Sequence, residues 1–302
     1  MSSLTIRPFS RADRDQLTAL INGHARAVVP GVSVSVNAVL SQLEAEPQEF
    51  ITGPWVERRT TLVAELADHI VGGALLNLYG DDERVGEAYR ATGEVRWLVF
   101  WPASPTEPPN PFWPDPSDAG PQLLTAATEQ LIAWGARKVA FGGSLPTPGV
   151  YGVPEQFAHV RAALLDAGWQ HDGDVEMVFL ARPSELAARR SGIEVVRSVG
   201  INGTRLTGNV GDHCVGYVEV ELRDAPHWGT ARPLLADLGN FDVLPAYREA
   251  MLAEAGRWLE RGGADGLLSF AGATDLEWVA LLEATGFQHV TRTERGWTTL
   301  VH

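Results

Sequence analysis

The chain has 302 residues, of which 45% are hydrophobic, so it is long enough for two domains that each bury a core. Its formal net charge of −14 argues against a nucleic-acid-binding protein, because phosphate backbones need a basic surface. A single cysteine, Cys214, excludes an internal disulfide. No apolar run approaches the length of a membrane span, and the first residues do not resemble a signal peptide. We expect a cytoplasmic protein that binds neither nucleic acid nor membrane.

The first part of the chain predicts a mixed α/β domain, because short alternating strands and segments of helical spacing follow one another. Its predicted elements are a strand at LTIRP, helices near residues 11–24 and 37–43, two strands around the turn at 67–69, a strand at EVRWLVFW, a helix over 122–134, a strand at ARKVAFGG, a helix over 155–167 and a closing strand at VEMVFLAR. A proline-rich loop at 102–116 separates the apolar strand from the third helix.

The second part shows the same order of elements in a shorter form. Its predicted elements are three strands between residues 193 and 222, a strand at FDVL, a helix over 246–263, a strand at DGLLSFA, a helix over 275–284 and a terminal hairpin at HVTRTERGWTTLV. Only a turn joins its first two strands, so the two early helices have no counterpart. We predict one domain over 1–183, a polar linker over 184–192 and a shortened domain over 193–302.

Three matched segments indicate that the chain is an internal duplication. ADHIVGGA (67–74) matches GDHCVGYV (211–218), LIAWGARKVAF matches WLERGGADGLLSF, and ALLDAGWQHDGD matches ALLEATGFQHVT, in the same order along the chain. The octets read as equivalent hairpin turns, where Asp and Gly are favoured for backbone reasons. They therefore predict structure and not a site.

Several of these segments together resemble the GNAT superfamily of N-acetyltransferases. LTIRPFSRADRDQLTALIN is similar to its first strand and helix, VAELADHIVGGALL to its central hairpin, and ALLDAGW and ALLEATGF to its closing segment. The resemblance covers nearly the whole chain, as two copies. The chain is also similar to tandem GNAT proteins that have a short second domain. It implies an α/β (α+β) fold of two GNAT-like domains, each a splayed mixed β-sheet flanked by helices.

The resemblance also implies where an acyl thioester would bind. In the family the fourth and fifth strands part to form a V, and the pantetheine arm lies in the gap beside the fourth-strand backbone. In this sequence that backbone includes Val99 and Phe100 in the first copy and Val243 and Leu244 in the second. We expect these residues to contact the donor.

The loops that would hold a coenzyme A pyrophosphate depart from the family pattern in both copies. The first reads DPSDAGPQLL, in which Gly120 fits the second loop glycine but Asp118 and Asp115 stand where glycine and a basic residue are expected. The second, PAYREAML, has no glycine; its Tyr247 and Arg248 lie where the strand joins the helix. We expect Gly120, Tyr247 and Arg248 to line what remains of the loops, with Arg248 either holding one phosphate or lying solvated at the helix start.

Four residues are candidates for the proton chemistry of acyl transfer, since the Tyr that often serves the family as acid is replaced by Leu in both copies. Glu94 and Asp242 lie on the two fourth strands, where a carboxylate base would act. Tyr151 could donate a proton to the leaving thiolate, and His159 could shuttle one. Each also has a structural interpretation: Glu94 as a surface carboxylate or an ion pair with Arg96, Tyr151 as a core cap, and His159 as a structural histidine.

The resemblance implies an acyltransferase that acts on an amine of a small molecule. The eroded loops favour a donor with fewer phosphates than coenzyme A, namely a thioester on the phosphopantetheine of an acyl carrier protein in a specialised biosynthetic pathway; acyl-CoA is the other donor considered. The alternative is a GNAT-like ligand-binding protein that is inactive or performs no acyl transfer. The eight histidines show no metal-ligating spacing, so we expect no metal.

Overall fold

A computed structural model describes residues 3–44, 55–102, 118–145, 150–188, 192–201, 203–222 and 233–300. The chain divides into two compact units. The first unit comprises Met1–Pro30, Val34–Asp174 and Thr293–His302, and the second comprises Gly31–Ser33 and Val175–Arg292. The proline-rich loop lies outside the described residues, apart from Pro102, and so does Asp115.

Seven α-helices and fifteen strands are present in the described part of the chain. The helices are α1 Arg14–Val28, α2 Val36–Glu44, α3 Ala119–Ala133, α4 Ala158–Asp166, α5 Pro183–Ala187, α6 Arg248–Arg261 and α7 Leu276–Thr285. The strands are β1 Thr5–Pro8, β2 Val56–Leu66, β3 His69–Tyr79, β4 Thr92–Phe100, β5 Lys138–Phe141, β6 Val153–Pro154, β7 Gln170–His171, β8 Val175–Ala181, β9 Glu194–Gly200, β10 Gly203–Val210, β11 His213–Leu222, β12 Leu235–Val243, β13 Gly266–Gly272, β14 Gln288–Glu294 and β15 Trp297–Leu300. Within these ranges, every helix is too short or too polar to cross a bilayer.

Each unit is built on one mixed sheet, as the resemblance implies. The first sheet has the order β1-β2-β3-β4-β5-β15-β7, and the second has the order β6-β14-β8-β13-β12-β11-β10-β9. One parallel pair lies in the middle of each: β4 with β5 and β12 with β13. The second unit passes from β9 to β10 through residues 201–202, so the predicted lack of two helices is confirmed.

Two adjacent glycines let helices pack on both faces of the first sheet. A Cβ added at Gly72 would overlap Leu123 of α3, and one at Gly73 would overlap Leu17 of α1. Because successive strand residues point to opposite faces, α3 and α1 lie on opposite sides of β3. The repeated octet carries Tyr217 where the first copy has Gly73, and the Arg205 guanidinium lies 4.2 Å from the centre of that Tyr217 ring. The second copy thus places a large side chain where the first makes room for a helix.

Both octets form hairpin turns, as predicted. Leu66 pairs with His69, and Val210 pairs with His213, so two residues form each turn. Ala67 and Asp68 both adopt positive φ angles, of 50° and 64°. This is the backbone conformation that a two-residue turn needs to match the twist of its strands.

The closing strands differ from the sequence-based expectation, because each lies in the sheet of the other copy. β8, which contains VEMVFLA, pairs with β13 in the second unit, from Leu267 with Ala181 to Gly272 with Glu176. β15, at the end of the chain, lies between β5 and β7 in the first unit. The expected terminal hairpin is therefore wrong: β14 and β15 are consecutive in sequence but belong to different sheets. The linker over 184–192 stays a prediction, and residues 189–191 lie outside the described ranges.

Two fully buried aromatic residues anchor the exchanged strands. Trp297 of β15 is 1% exposed, pairs with Phe141 and stacks on His171 with ring centres 5.1 Å apart. Phe179 of β8 is 0% exposed and pairs with Ser269. Trp297, from the second copy, therefore belongs to the core of the first unit. Phe179, from the first copy, belongs to the core of the second unit.

The strand exchange predicts where two core substitutions act. Trp297→Ala should destabilise the first unit and Phe179→Ala the second, each by about 3–5 kcal/mol, the usual cost of deleting a buried aromatic side chain. Hydrogen exchange followed by mass spectrometry should show faster exchange in Lys138–Phe141 for Trp297→Ala and in Gly266–Gly272 for Phe179→Ala. The reverse pattern would mean that each copy keeps its own closing strand.

Candidate functional site

The central parallel strands of each unit separate after a few paired residues. In the first unit the pairing runs from Thr92 with Lys138 to Val95 with Phe141. The chain after β5 then turns at Gly143, whose φ is 66°. The Ser144 amide donates a 2.8 Å hydrogen bond to the Arg96 carbonyl. Beyond this point a gap opens between the two chain segments.

Side chains of the first unit fill this gap. It is bounded by Trp97, Leu98, Phe141, Gly143, Leu145, Gly152, Val153, Phe157 and Val160. The space left between them is about 10 Å³, which is at or below the volume that a single water molecule requires. A pantetheine arm would have to displace these side chains to enter between the described residues.

An aromatic ring packs against Gly120, the glycine that the sequence places in the first pyrophosphate loop. Phe100 and Gly120 are both buried, and a Cβ added at Gly120 would overlap the Phe100 ring. Gly120 is thus needed for the close approach of a side chain to the start of α3. Val99 is fully buried beside Phe100. The structure brings three of the predicted donor-binding residues together, but in a packed core.

A pair of neutral histidines covers the same end of β4. His24 Nδ1 lies 2.9 Å from the Leu20 carbonyl oxygen, and His24 Nε2 lies 3.1 Å from His159 Nε2. Because a carbonyl only accepts, His24 carries its hydrogen on Nδ1, and His159 donates from Nε2 to His24. Burial lowers the pKa of His24 to about 4. Burial, together with the neighbouring His24, lowers the pKa of His159 to about 3.

Glu94 is the centre of a buried hydrogen-bond network. Its Oε2 accepts a 2.6 Å bond from the Tyr79 hydroxyl and a 3.3 Å bond from Asn77 Nδ2, while Arg96 Nη1 lies 3.4 Å from Oε1. Burial and the adjacent carboxylate raise the pKa of Tyr79 well above its ordinary value. Arg59 extends the network by donating to Asn77 Oδ1 at 3.0 Å. Glu94 is therefore buried and paired with Arg96, in line with its structural interpretation.

Tyr151 is half-buried, and the Arg295 guanidinium lies 5.9 Å from the centre of its ring. The described contacts join His159 to His24 and Glu94 to Tyr79, and none of them joins Glu94, Tyr151 and His159 to one another. His159 thus lies apart from Glu94, whereas Glu94 and Tyr151 both interact electrostatically with Arg96.

The second unit has an open gap at the equivalent place. Its parallel pairing runs from Leu235 with Gly266 to Asp237 with Leu268, and the strands then diverge. A cavity of about 430 Å³ lies between them, within the range typical of small-molecule sites. It is lined by Leu238, Gly239, Phe241, Arg248, Ser269, Phe270, Ala271, Gly272, Asp275, Glu277 and Trp278.

Aromatic side chains form one side of this cavity. The Phe241 and Trp278 rings lie 4.8 Å apart between their centres. Trp278 Nε1 donates a 3.1 Å hydrogen bond to the Phe270 carbonyl, so the indole is fixed against the end of β13. The lining therefore combines aromatic rings with polar backbone and charged groups.

Charged side chains lie at the starts of the two helices that follow the diverging strands. Arg248 is the first residue of α6, and its guanidinium forms an ion pair with Glu277 in the first turn of α7. Asp275 caps α7 by accepting a 3.1 Å hydrogen bond from the Trp278 amide. The lining therefore carries one basic and two acidic side chains.

The residues predicted for the second donor site are only partly brought to the cavity. Arg248 lines it. Asp242 and Leu244 are exposed, Val243 is buried in the core, and Tyr247 packs against that core. The sequence prediction missed Ser269, Asp275, Glu277 and Trp278, although Ser269 lies within the predicted strand DGLLSFA and the other three lie in GATDLEW, which follows it directly.

Register identifies a further carboxylate, Asp237. Glu94 and Asp237 each occupy the third paired position of their fourth strand, opposite Ala140 and Leu268. Asp237 is buried and directly precedes Leu238, which lines the cavity.

Across the residues that the structure describes, no three His, Cys, Asp or Glu side chains cluster closely enough to hold a metal ion.

Comparison with solved structures shows a shared two-domain fold. A tandem GNAT protein from the clavulanic acid biosynthesis pathway superposes with a TM-score of 0.66 at 14% identity, over 99% of this chain and 98% of that chain. A GCN5-related N-acetyltransferase from Sphaerobacter thermophilus gives a TM-score of 0.55 at 12% identity, over 98% of this chain and 94% of that chain. With the sequence alone, no protein-family model and no curated protein matches. The chain thus has a tandem GNAT fold.

The buried histidine pair predicts a loss of stability in mild acid. Both histidines have a folded pKa below the ordinary 6.5, so their stabilising contribution is complete above pH 6.5. It declines as the pH falls toward 4, because the unfolded chain then binds protons that the folded chain does not. The slope should reach about 1.4 kcal/mol per pH unit for each histidine.

Denaturant unfolding between pH 7.5 and 5 measures this slope. His24→Asn should reduce it, whereas His213→Gln should not, because His213 is exposed in a hairpin turn. An equal slope in the wild type and in His24→Asn would show that the histidine pair does not control acid stability.

Proposed function

We propose that this tandem GNAT fold transfers an acyl group from a pantetheine thioester to an amine of a small molecule, and that the second unit binds the thioester. The observation that carries the proposal is the open cavity of about 430 Å³ between β12 and β13. Between the described residues of the first unit, the space at the corresponding place is about 10 Å³. Because a fixed gap positions donor and acceptor for direct attack, the unit with space is the better candidate for the chemistry.

We further propose that the donor is an acyl carrier protein rather than acyl-CoA. The lining has Arg248 as its basic residue and Asp275 and Glu277 as its acids. Such a rim suits the single phosphodiester of a carrier-bound phosphopantetheine better than a pyrophosphate and a nucleotide phosphate. The tandem GNAT protein of similar fold comes from the clavulanic acid biosynthesis pathway. A cytoplasmic role in a specialised biosynthetic pathway fits a chain with one cysteine.

The base that accepts the amine proton is proposed to lie on β12. Asp237 has the register of Glu94 and directly precedes Leu238, which lines the cavity, while Asp242 is exposed five residues further on. A buried carboxylate is better protected from water than an exposed one. For the first unit, catalytic roles for Glu94, Tyr151 and His159 stay predictions.

A second candidate function is favoured by the first unit. The gap between its described strands is packed, and the Phe100 ring lies against Gly120 at the start of α3. These features favour a first unit that has no catalytic role and that contributes structure or acceptor binding. If the second unit also failed to bind a thioester, the whole protein would be a binding protein without acyl transfer.

Filling the cavity should abolish thioester binding and transfer. Gly272 lines the cavity, and a Cβ added there meets no atom within 4 Å, so a larger side chain fits without a clash at the backbone. Gly272→Trp should weaken pantetheine binding by more than about tenfold, since the indole replaces the ligand in the gap. Gly272→Ala should have a much smaller effect. Calorimetric titration with pantetheine, with thermal unfolding as a check of folding, measures the series.

Turnover with acyl carrier protein and with acyl-CoA, each paired with a panel of amines, tests the donor. We expect faster turnover with the carrier protein. Efficient turnover with acyl-CoA alone would contradict the carrier-protein donor, and pantetheine binding that is equal in wild type and Gly272→Trp would contradict the assignment of the cavity.

The base is tested by comparing Asp237→Asn with Asp242→Asn. Loss of a general base costs about 10²–10⁴ in kcat, so the larger loss identifies the acting carboxylate. We expect Asp237→Asn to lower kcat by at least about 100-fold without weakening pantetheine binding. A normal kcat in Asp237→Asn would rule out this role.

A further inference from the structure

We infer that Glu277 is a specificity-determining residue that selects against highly charged donors by holding Arg248. The inference rests on the proposed function, because it concerns the same cavity in the second unit. It names one residue that would discriminate between the two donors, and it can be tested by ligand binding without measuring turnover.

The geometry places the two side chains on either side of the gap. Arg248 begins α6, which follows β12, and Glu277 lies in the first turn of α7, which follows β13. Arg248 Nη1 and Glu277 Oε1 are 2.5 Å apart, and both residues line the cavity. The ion pair therefore links the two helix starts where a donor phosphate would arrive.

Arg248 lies where a lone cation is unfavourable. The start of a helix carries a partial positive charge, which favours anions and disfavours cations. A guanidinium in the first residue of α6 is therefore stabilised by a nearby anion, and Glu277 supplies one. A donor phosphate would supply the same charge, so phosphate and Glu277 compete for one guanidinium.

The start of α7 offers no alternative anion site. Asp275 already accepts the Trp278 amide at 3.1 Å, and Glu277 places a second carboxylate in the same turn. A phosphate that displaces Glu277 from Arg248 also remains near two carboxylates. The repulsion increases with the number of phosphates, so it disfavours coenzyme A more than phosphopantetheine.

The solvent exposure of the Arg248–Glu277 ion pair sets the size of its effect on donor binding. The Glu277 side chain is 76% exposed and that of Arg248 is 27% exposed, and ion pairs of this kind contribute at most about 1 kcal/mol. Removing the negative charge of Glu277 should therefore strengthen phosphopantetheine binding by about three- to fivefold. The gain for coenzyme A should be larger and should shrink at high salt.

The test is calorimetric titration of the full chain with pantetheine, 4′-phosphopantetheine and coenzyme A. Glu277→Gln should bind the two phosphorylated probes more tightly and leave pantetheine unchanged. Glu283→Gln is the matched control, because Glu283 is exposed on the same helix outside the cavity lining. In an Arg248→Gln background, Glu277→Gln should give less of a gain, since its partner is absent.

The outcomes separate the two proposals. If wild type binds pantetheine and Glu277→Gln leaves the affinity for both phosphorylated probes unchanged, the role of Glu277 is overturned while the donor cavity stands. If neither protein binds any of the three probes, the proposed function fails and the role of Glu277 fails with it. An equal gain in Glu283→Gln would assign the effect to general charge and also overturn the inference.

Discussion

The arrangement of both units depends on a parallel strand pair that ends after three or four residues. In the first unit β4 and β5 share four paired positions, and in the second β12 and β13 share three. Where the pairing ends, backbone amides and carbonyls of the fourth strand need new partners, because buried polar groups are costly when left unpaired. The first unit satisfies part of this need with its own chain, through the Ser144 amide. The second leaves a cavity, where a pantetheine arm would supply amide groups.

The two copies thus show two outcomes of one arrangement. In the first, Phe100, His24 and His159 form a packed aromatic cluster at the end of the fourth strand. In the second, aromatic side chains and one arginine remain accessible to a ligand. The substitution of Gly73 by Tyr217 belongs to the same divergence, because the loss of an early helix removed the need for a small residue on that face. Duplication has been followed by specialisation of each gap.

Local patterns predicted much of this fold. Periodicity identified the helices and strands, and the octets identified the hairpin turns, because these features depend on residues close in sequence. The exchange of closing strands was not predictable in this way: β8 and β15 have the same alternation whichever sheet they join. The cavity lining was missed for a related reason, since Trp278 and Glu277 reach the gap only through the packing of α7. Arg248 was found because it directly follows the fourth strand.

The exchange of β15 has a consequence for protein synthesis. A ribosome delivers Trp297–Leu300 only after the rest of the second copy has emerged. The first unit therefore lacks a strand between β5 and β7 until then, even though most of it is made early. Its sheet can close only after the second copy has been translated. The duplicated halves are for this reason no longer separable genetic modules, and a gene cut between them would encode two incomplete sheets.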